Sequence, residues 1–226
     1  MRRRTRAVVG SAVVGAAAAV GAVAPLRLWC LNWGATADEA TAEMPGDDLL
    51  PKPDIVSTRA ITVDAPASAL WPWLVQMGGG RAGAYTYDWI ENLMGLNMHS
   101  ADEILPQFQD LHLGDVLPVG SGGPTMRCVV LEPGHALVWR SDDGQWIWSF
   151  GLYPAGSSIR LVSRNRIAVP TASVLRRLVN RMIMEPGSLV MERKMLLGIK
   201  QRAERLAAAA PPDLAQPDAS RAMSRS

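Results

Sequence analysis

Thr58-Arg59-Ala60-Ile61-Thr62-Val63, then Asp64-Ala65-Pro66, then Ala69-Leu70-Trp71-Pro72-Trp73-Leu74-Val75-Gln76-Met77: this stretch decides the fold of the chain. The first part is short, rich in β-branched residues and closed by a proline, as expected of a strand that runs into a helix N-terminus. In the second part Leu70, Trp73, Leu74 and Met77 recur at helical spacing, and Gly78-Gly79-Gly80 ends the pattern. One strand therefore feeds one helix.

Outward from this junction, residues 81–88 lead into a short apolar-periodic segment, 89–94, read as an inserted helix that Gly95 ends. Strand-like runs follow at 115–119, 126–131, 136–141, 145–153 and 159–167. Gly120-Ser121-Gly122-Gly123-Pro124, Pro133-Gly134, Asp142-Asp143-Gly144 and Pro154-Ala155-Gly156 punctuate them, so the middle of the chain reads as an antiparallel meander. In the fourth of these runs Trp146, Trp148, Phe150 and Leu152 share one face, the mark of a strand half-buried under an apolar layer.

Two helical segments supply that layer. Residues 171–184 place Leu175, Leu178, Val179, Met182 and Ile183 on one side, and residues 189–209 place Met195, Ile199, Ala203 and Leu206 on one side. Glu185-Pro186-Gly187 is expected to break or kink the chain between them. An antiparallel sheet covered on one face by a terminal helix is an α+β solution to burying that face.

The chain has 226 residues, 48% hydrophobic and 19% charged, which suits one folded domain with appendages. Its net charge of +2 comes from the N-terminus: without Arg2, Arg3, Arg4, Arg6 and Arg27, which precede the first acid at Asp38, the remainder stands at −3. A weakly acidic domain argues against a nucleic-acid partner held by phosphate contacts.

Residues 7–24 are small and apolar except for Ser11 and follow Arg2-Arg3-Arg4-Thr5-Arg6. As a helix such a run spans about 27 Å, near the hydrocarbon thickness of a bilayer, and Trp29 and Trp33 suit an interfacial belt. The preferred reading is an uncleaved single-pass anchor, N-terminus cytoplasmic and domain extracytoplasmic. Secretion after signal cleavage at Ala22-Val23-Ala24 is the alternative, disfavoured by Pro25. A buried helix is the third. The expected organisation is basic N-terminus and transmembrane helix at 1–33, an extended or loop-like connector at 34–56, a folded domain at 57–208 and a disordered tail at 209–226. Cys30 and Cys128 do not make a disulfide scaffold, and Cys128 reads as a buried free thiol.

Taken together, Ala65-Pro66 with Leu70-Trp71, Trp33-Gly34-Ala35-Thr36, Met44-Pro45-Gly46-Asp47, Trp71-Pro72-Trp73-Leu74-Val75-Gln76-Met77-Gly78, Arg81-Ala82-Gly83 and Tyr87-Asp88-Trp89 resemble the helix-grip superfamily (SRPBCC: START, Bet v 1-like and polyketide cyclase/dehydrase-type proteins), in particular uncharacterised bacterial members. The likeness covers residues 33–206. Ala84-Tyr85 and Thr86 depart from it, where a larger residue and a serine are expected. The resemblance implies a curved antiparallel sheet wrapped around a long C-terminal helix, with a cavity for an apolar small molecule between them. It implies no reaction, since a shared fold does not transfer function.

Candidate ligand-binding residues follow from chemistry. Tyr85, Tyr87, Asp88 and Trp89 would give an apolar cavity polar handles as a rim or lid; the plainer reading has Trp89 in the core and Asp88 capping the inserted helix. Trp146 and Trp148 lie on the dry strand face. Met191 and Met195, with Met182 and Met184, would adapt to ligands of varied shape, or serve as plain core. Arg160, Arg164 and Arg166 alternate along one strand whose default is a solvated outer face; were Arg164 inside, Glu185 or Asp88 would have to partner it.

No metal or cofactor is expected, since His99, His112 and His135 are scattered and no Cys-x-x-Cys, Gly-x-Ser-x-Gly or phosphate-loop signature occurs. The expected function is a membrane-anchored binding protein for a lipid or other hydrophobic small molecule, without catalysis. A cyclase- or dehydratase-like enzyme using Asp88, Tyr87 or Arg164 is the alternative. A structural or interaction domain with a filled core is the second.

Overall fold

The strand-to-helix junction forms as the sequence predicts. The computed structural model describes residues 24–93, 95–118, 125–170 and 173–210. Strand β1 (Ile55–Val63) passes through Pro66 into helix α2 (Ala67–Val75), which follows a short helix α1 (Ala37–Thr41). Pro72 leaves one backbone carbonyl of α2 without its donor, and the helix closes soon after, at a Gln76 cap. The anchor run up to residue 23, the turn at 120–124 and the tail from 211 lie outside the described residues. Among the described residues no helix is long and apolar enough to cross a membrane.

The meander is present: β2 (Val116–Pro118), β3 (Thr125–Glu132), β4 (Ala136–Ser141), β5 (Trp146–Ala155) and β6 (Ser158–Ile167). All neighbours are antiparallel, and β1 pairs with β6 to give the order β1-β6-β5-β4-β3-β2. The inserted helix is α3 (Asp88–Leu93). Helix α5 (Glu185–Ala209) packs across the sheet against α2 and β1, which is the helix-grip arrangement. Between them, Leu70, Trp73 and Leu74 of α2 and Leu196, Ile199 and Ala203 of α5 meet Leu137, Trp139, Phe150 and Leu161 of the sheet. Truncating one of these, Leu70→Ala for example, removes about 2–5 kcal/mol.

The C-terminal helices differ from expectation in two ways. Glu185-Pro186-Gly187 does not break the chain but follows a local irregularity: helix α4 (Val174–Val179) runs through a π-helical turn, Asn180–Met184, directly into α5, with Pro186 in the first turn of α5. The wider turn accommodates a proline that has no N–H and would crowd the preceding carbonyls. The apolar side of 171–184 does not cover the sheet either, because Leu175, Leu178, Val179, Met182 and Ile183 are all exposed.

The outer face along β6 is not solvated. Residues 34–50 lie across it as a strap, with α1 capped reciprocally by Thr36 and Glu39. Arg164, 2% exposed, donates to Asp47 (2.6 Å), the Ala42 and Glu39 carbonyls and Thr58. Arg160 holds Glu39, and Arg166 holds the Leu50 carbonyl. The strap also brings Gly46 so close to the sheet that a Cβ there would lie 2.7 Å from Val138. Its local structure is therefore more regular than the loop-like connector expected from its prolines.

Candidate functional site

A cavity of about 480 Å³ opens between the sheet and the first half of α5. Ile55, Ser57 and Arg59 of β1, Trp146 and Trp148 of β5, and Asn165 and Ile167 of β6 form its sheet wall, all on the inner face by strand alternation. Glu185, Ser188, Met191, Glu192 and Met195 form its helix wall; Ala84, Thr86 and Glu91 close one side, and Leu31 closes another, at the end of a helical segment over residues 24–31. Volumes of about 300–1,000 Å³ are usual for small-molecule sites.

One polar network crosses this wall. The Arg59 guanidinium is fully buried, contacts the Glu192 carboxylate, and donates to the Cys30 carbonyl and to Ser188 Oγ at 3.0 Å. Glu192 also accepts from Ser163 at 2.6 Å and from Asn165. The two indole N–H groups complete it, Trp146 donating to Asn165 at 2.9 Å and Trp148 to Ser163 at 3.0 Å. Burial pushes the Glu192 carboxyl up, opposed by Arg59 and these donors. Every charge here has its counter-charge, as a buried pair requires.

Glu91 differs. It is 5% exposed, and burial pushes its carboxyl up, the Thr86 hydroxyl opposing and the Asp88 charge adding. Yet neither Glu91 Oε2 nor Thr86 Oγ1 has a well-formed hydrogen bond. Of the four charged residues that line the cavity, Arg59 pairs with Glu192 and Glu185 with Arg27. Glu91 alone has no ion-pair partner among the described residues.

The residues expected at the site divide. Trp146, Trp148, Met191 and Met195 line the cavity, as does Met184; Met182 projects into solvent. Tyr85, Tyr87, Asp88, Trp89 and Arg164 do not line it. Tyr85 has a left-handed backbone (φ 58°) that turns its ring into the core, where its hydroxyl donates to the Trp73 carbonyl at 3.0 Å. Burial pushes that phenol up to about 12, so it stays protonated near neutrality. Gly198 permits this close approach, since a Cβ there would lie 2.6 Å from the Tyr85 carbonyl oxygen. Tyr87 stacks beneath Lys194. Asp88 accepts from the Ser100 N–H (2.8 Å) and hydroxyl (2.6 Å), pinning a loop. Trp89 is 69% exposed, neither core nor rim, because α3 turns Glu91 inward instead. Arg164 sits on the opposite sheet face, and its acidic partner is Asp47 rather than Glu185 or Asp88.

The network residues had a legible signal that single-residue reading missed. Glu192 interrupts the apolar stripe Leu189, Met195, Leu196, Ile199, and Arg59 alternates with Ile61 and Val63. A charge in each of two dry faces indicates that the two meet. Among the described residues no group of His, Cys, Asp or Glu could hold a metal ion.

No protein-family model matches the chain, and no curated protein matches it. Solved structures do. The chain is similar to a polyketide cyclase-like protein from Corynebacterium glutamicum (14% identity over 70% of this chain and 91% of that one, TM-score 0.32). It is also similar to a protein from Mesorhizobium loti (13%, 67% and 98%, TM-score 0.38) and to CalU16 from Micromonospora echinospora (15%, 68% and 86%, TM-score 0.32). The likeness concerns the fold alone, which the strand order and the C-terminal helix establish by themselves.

Proposed function

We propose that this protein binds an apolar small molecule whose head group donates hydrogen bonds, with an amine the best match, and holds it in the sheet-helix cavity without chemistry. The observation that carries this reading is the uncompensated Glu91 carboxyl with the unsatisfied Thr86 hydroxyl at the side of an otherwise apolar or internally paired cavity. A buried acceptor left unmade costs more than a made bond returns, so a ligand that supplies the donor is favoured. The Trp146 and Trp148 rings and Met191 and Met195 would take the apolar body.

The test compares dodecylamine, dodecanol and dodecanoate by tryptophan fluorescence and native mass spectrometry. The amine is expected to bind tightest, the carboxylate weakest, and Glu91→Gln to remove the amine's advantage. Equal binding of all three, unaffected by Glu91→Gln, refutes the head-group reading, and binding of none refutes the ligand reading.

One observation favours an enzymatic reading as second: Glu91 and Glu192 are both buried carboxyls pushed upward at a cavity, the condition of a general acid. On it, a ligand recovered from the protein would be chemically altered, and Glu91→Gln would abolish the change while ligand remained bound. The apolar run after the N-terminal arginines supports attachment to a membrane with the domain extracytoplasmic. Recovery of the full chain in carbonate-washed membranes tests the attachment, and protease protection tests the orientation.

A further inference from the structure

Two sets of exposed large apolar residues adjoin the cavity. On the helical segment 24–31, Leu26, Leu28 and Trp29 face solvent while Cys30 and Leu31 are buried. On α4 and the π turn, Leu175, Leu178, Val179, Met182, Ile183 and Met184 face solvent, Ile183 being 63% exposed. The two sets are neighbours. Arg27 of the first segment grips Glu185, directly after the turn, and Cys30 Sγ donates to the Glu185 carbonyl. Leu31, Asn180 and Met184 also line the cavity, so both sets adjoin it. Solvent-facing apolar surface of this extent, on consecutive turns of two elements, marks an interaction surface.

Charge and chain continuity identify the partner. No acid occurs before Asp38, and none occurs between Asp143 and Glu185. Arg27 and Arg181 stand within the patch itself. Glu185 is buried and meets the Arg27 charge, so the exposed patch presents apolar side chains with Arg181 and no solvent-facing acid, which complements an anionic lipid surface rather than a typical protein face. The segment 24–31 is moreover the direct continuation of the apolar run that begins at Ala7.

We propose that the exposed apolar rim of segment 24–31 and residues 175–184 docks on a bilayer containing anionic lipid and seats the cavity mouth in the boundary between headgroups and acyl chains. The contact is additional to whatever residues 1–23 make. Docking stands without the ligand reading; passage of a ligand between bilayer and cavity without crossing water rests on it.

The test places an environment-sensitive fluorophore on Ile183→Cys in the full chain, with Cys30→Ser and Cys128→Ala to leave a single thiol. A second label on Glu132→Cys, in the β3–β4 hairpin, serves as control. In vesicles of phosphatidylcholine and phosphatidylglycerol the Ile183 label is expected to shift to the blue and to be quenched severalfold more than the control by lipids brominated near the headgroup. Both effects should weaken in phosphatidylcholine alone. A label that stays in water on vesicle-bound protein overturns the proposal, leaving attachment to the first residues only. A blue shift without lipid quenching overturns it in favour of a second copy or the chain's own N-terminus as cover, and failure of the chain to bind vesicles overturns it outright. No ligand is present, so these outcomes are independent of whether the cavity binds one.

Discussion

Two buried arginines, one residue out of register on neighbouring strands, do different work. Thr58 of β1 pairs with Arg164 of β6, and Arg59 pairs with Ser163. Both guanidiniums are withdrawn from water, Arg164 outward under the strap and Arg59 inward under α5. Arg164 makes four hydrogen bonds, three to one stretch of chain and one to Thr58, and does not line the cavity. Arg59 is equally satisfied, but its partners Glu192 and Ser188 border the cavity. Burial of an arginine therefore does not mark a site. Space beside its partners does.

The comparison can be broken by removing one partner on each face. The largest effect is expected for Glu192→Ala, which strands Arg59 in the interior and should cost about 3–5 kcal/mol in chemical denaturation. Arg164→Ala should cost less, about 2–3 kcal/mol, because Asp47 can rehydrate as the strap lifts. It should raise amide exchange across residues 39–50 and leave binding in the cavity unchanged. Loss of ligand binding in Arg164→Ala would erase the distinction between the two faces.

Glu91→Gln sharpens the comparison in the opposite direction, because it should stabilise. The folded-state carboxyl lies above its ordinary value of 4.5, so the native chain binds more protons than the unfolded chain over that interval. Stability then falls as pH rises from the ordinary value through the raised one. Thermal melts of wild type and Glu91→Gln should coincide below that range and separate above it, the variant being more stable by about 1–2 kcal/mol at pH 8. A constant offset at every pH would show that Glu91 has found a partner. The smallest effect is expected for Trp148→Phe, which deletes the indole bond to Ser163 while Ser163 still donates to Glu192. That change should cost about 1 kcal/mol and alter the near-ultraviolet signal of the stacked Trp146–Trp148 pair.

Much of the architecture was legible because strand and helix periods are local. The meander, the dry face of Trp146, Trp148, Phe150 and Leu152, and the grip by the terminal helix all appear where hydrophobic spacing puts them. The site was legible only in part. Trp146, Trp148, Met191 and Met195 reach the cavity because a strand face and a helix stripe are enough to aim them. Tyr85, Tyr87, Asp88 and Trp89 sit in an insertion with little period of its own, so their direction depends on a left-handed residue and a bond to Ser100. The exposed side of 171–184 shows the opposite failure: its period is helical, but period says nothing about whether another layer arrives to cover it.

What the sequence determined by itself is which residues share a face, since that follows from backbone geometry within each element. It also determined that the charged content of the domain is weakly acidic and that the N-terminus is basic and apolar. Only the tertiary structure decided which face meets which. Arg59 finds Glu192 across 133 residues, Arg164 finds Asp47 across 117, and Glu91 finds no counter-charge among the described residues. The reason is physical. Pairing of distant charges depends on how the strap, sheet and helix close over one another, and no local period encodes that closure.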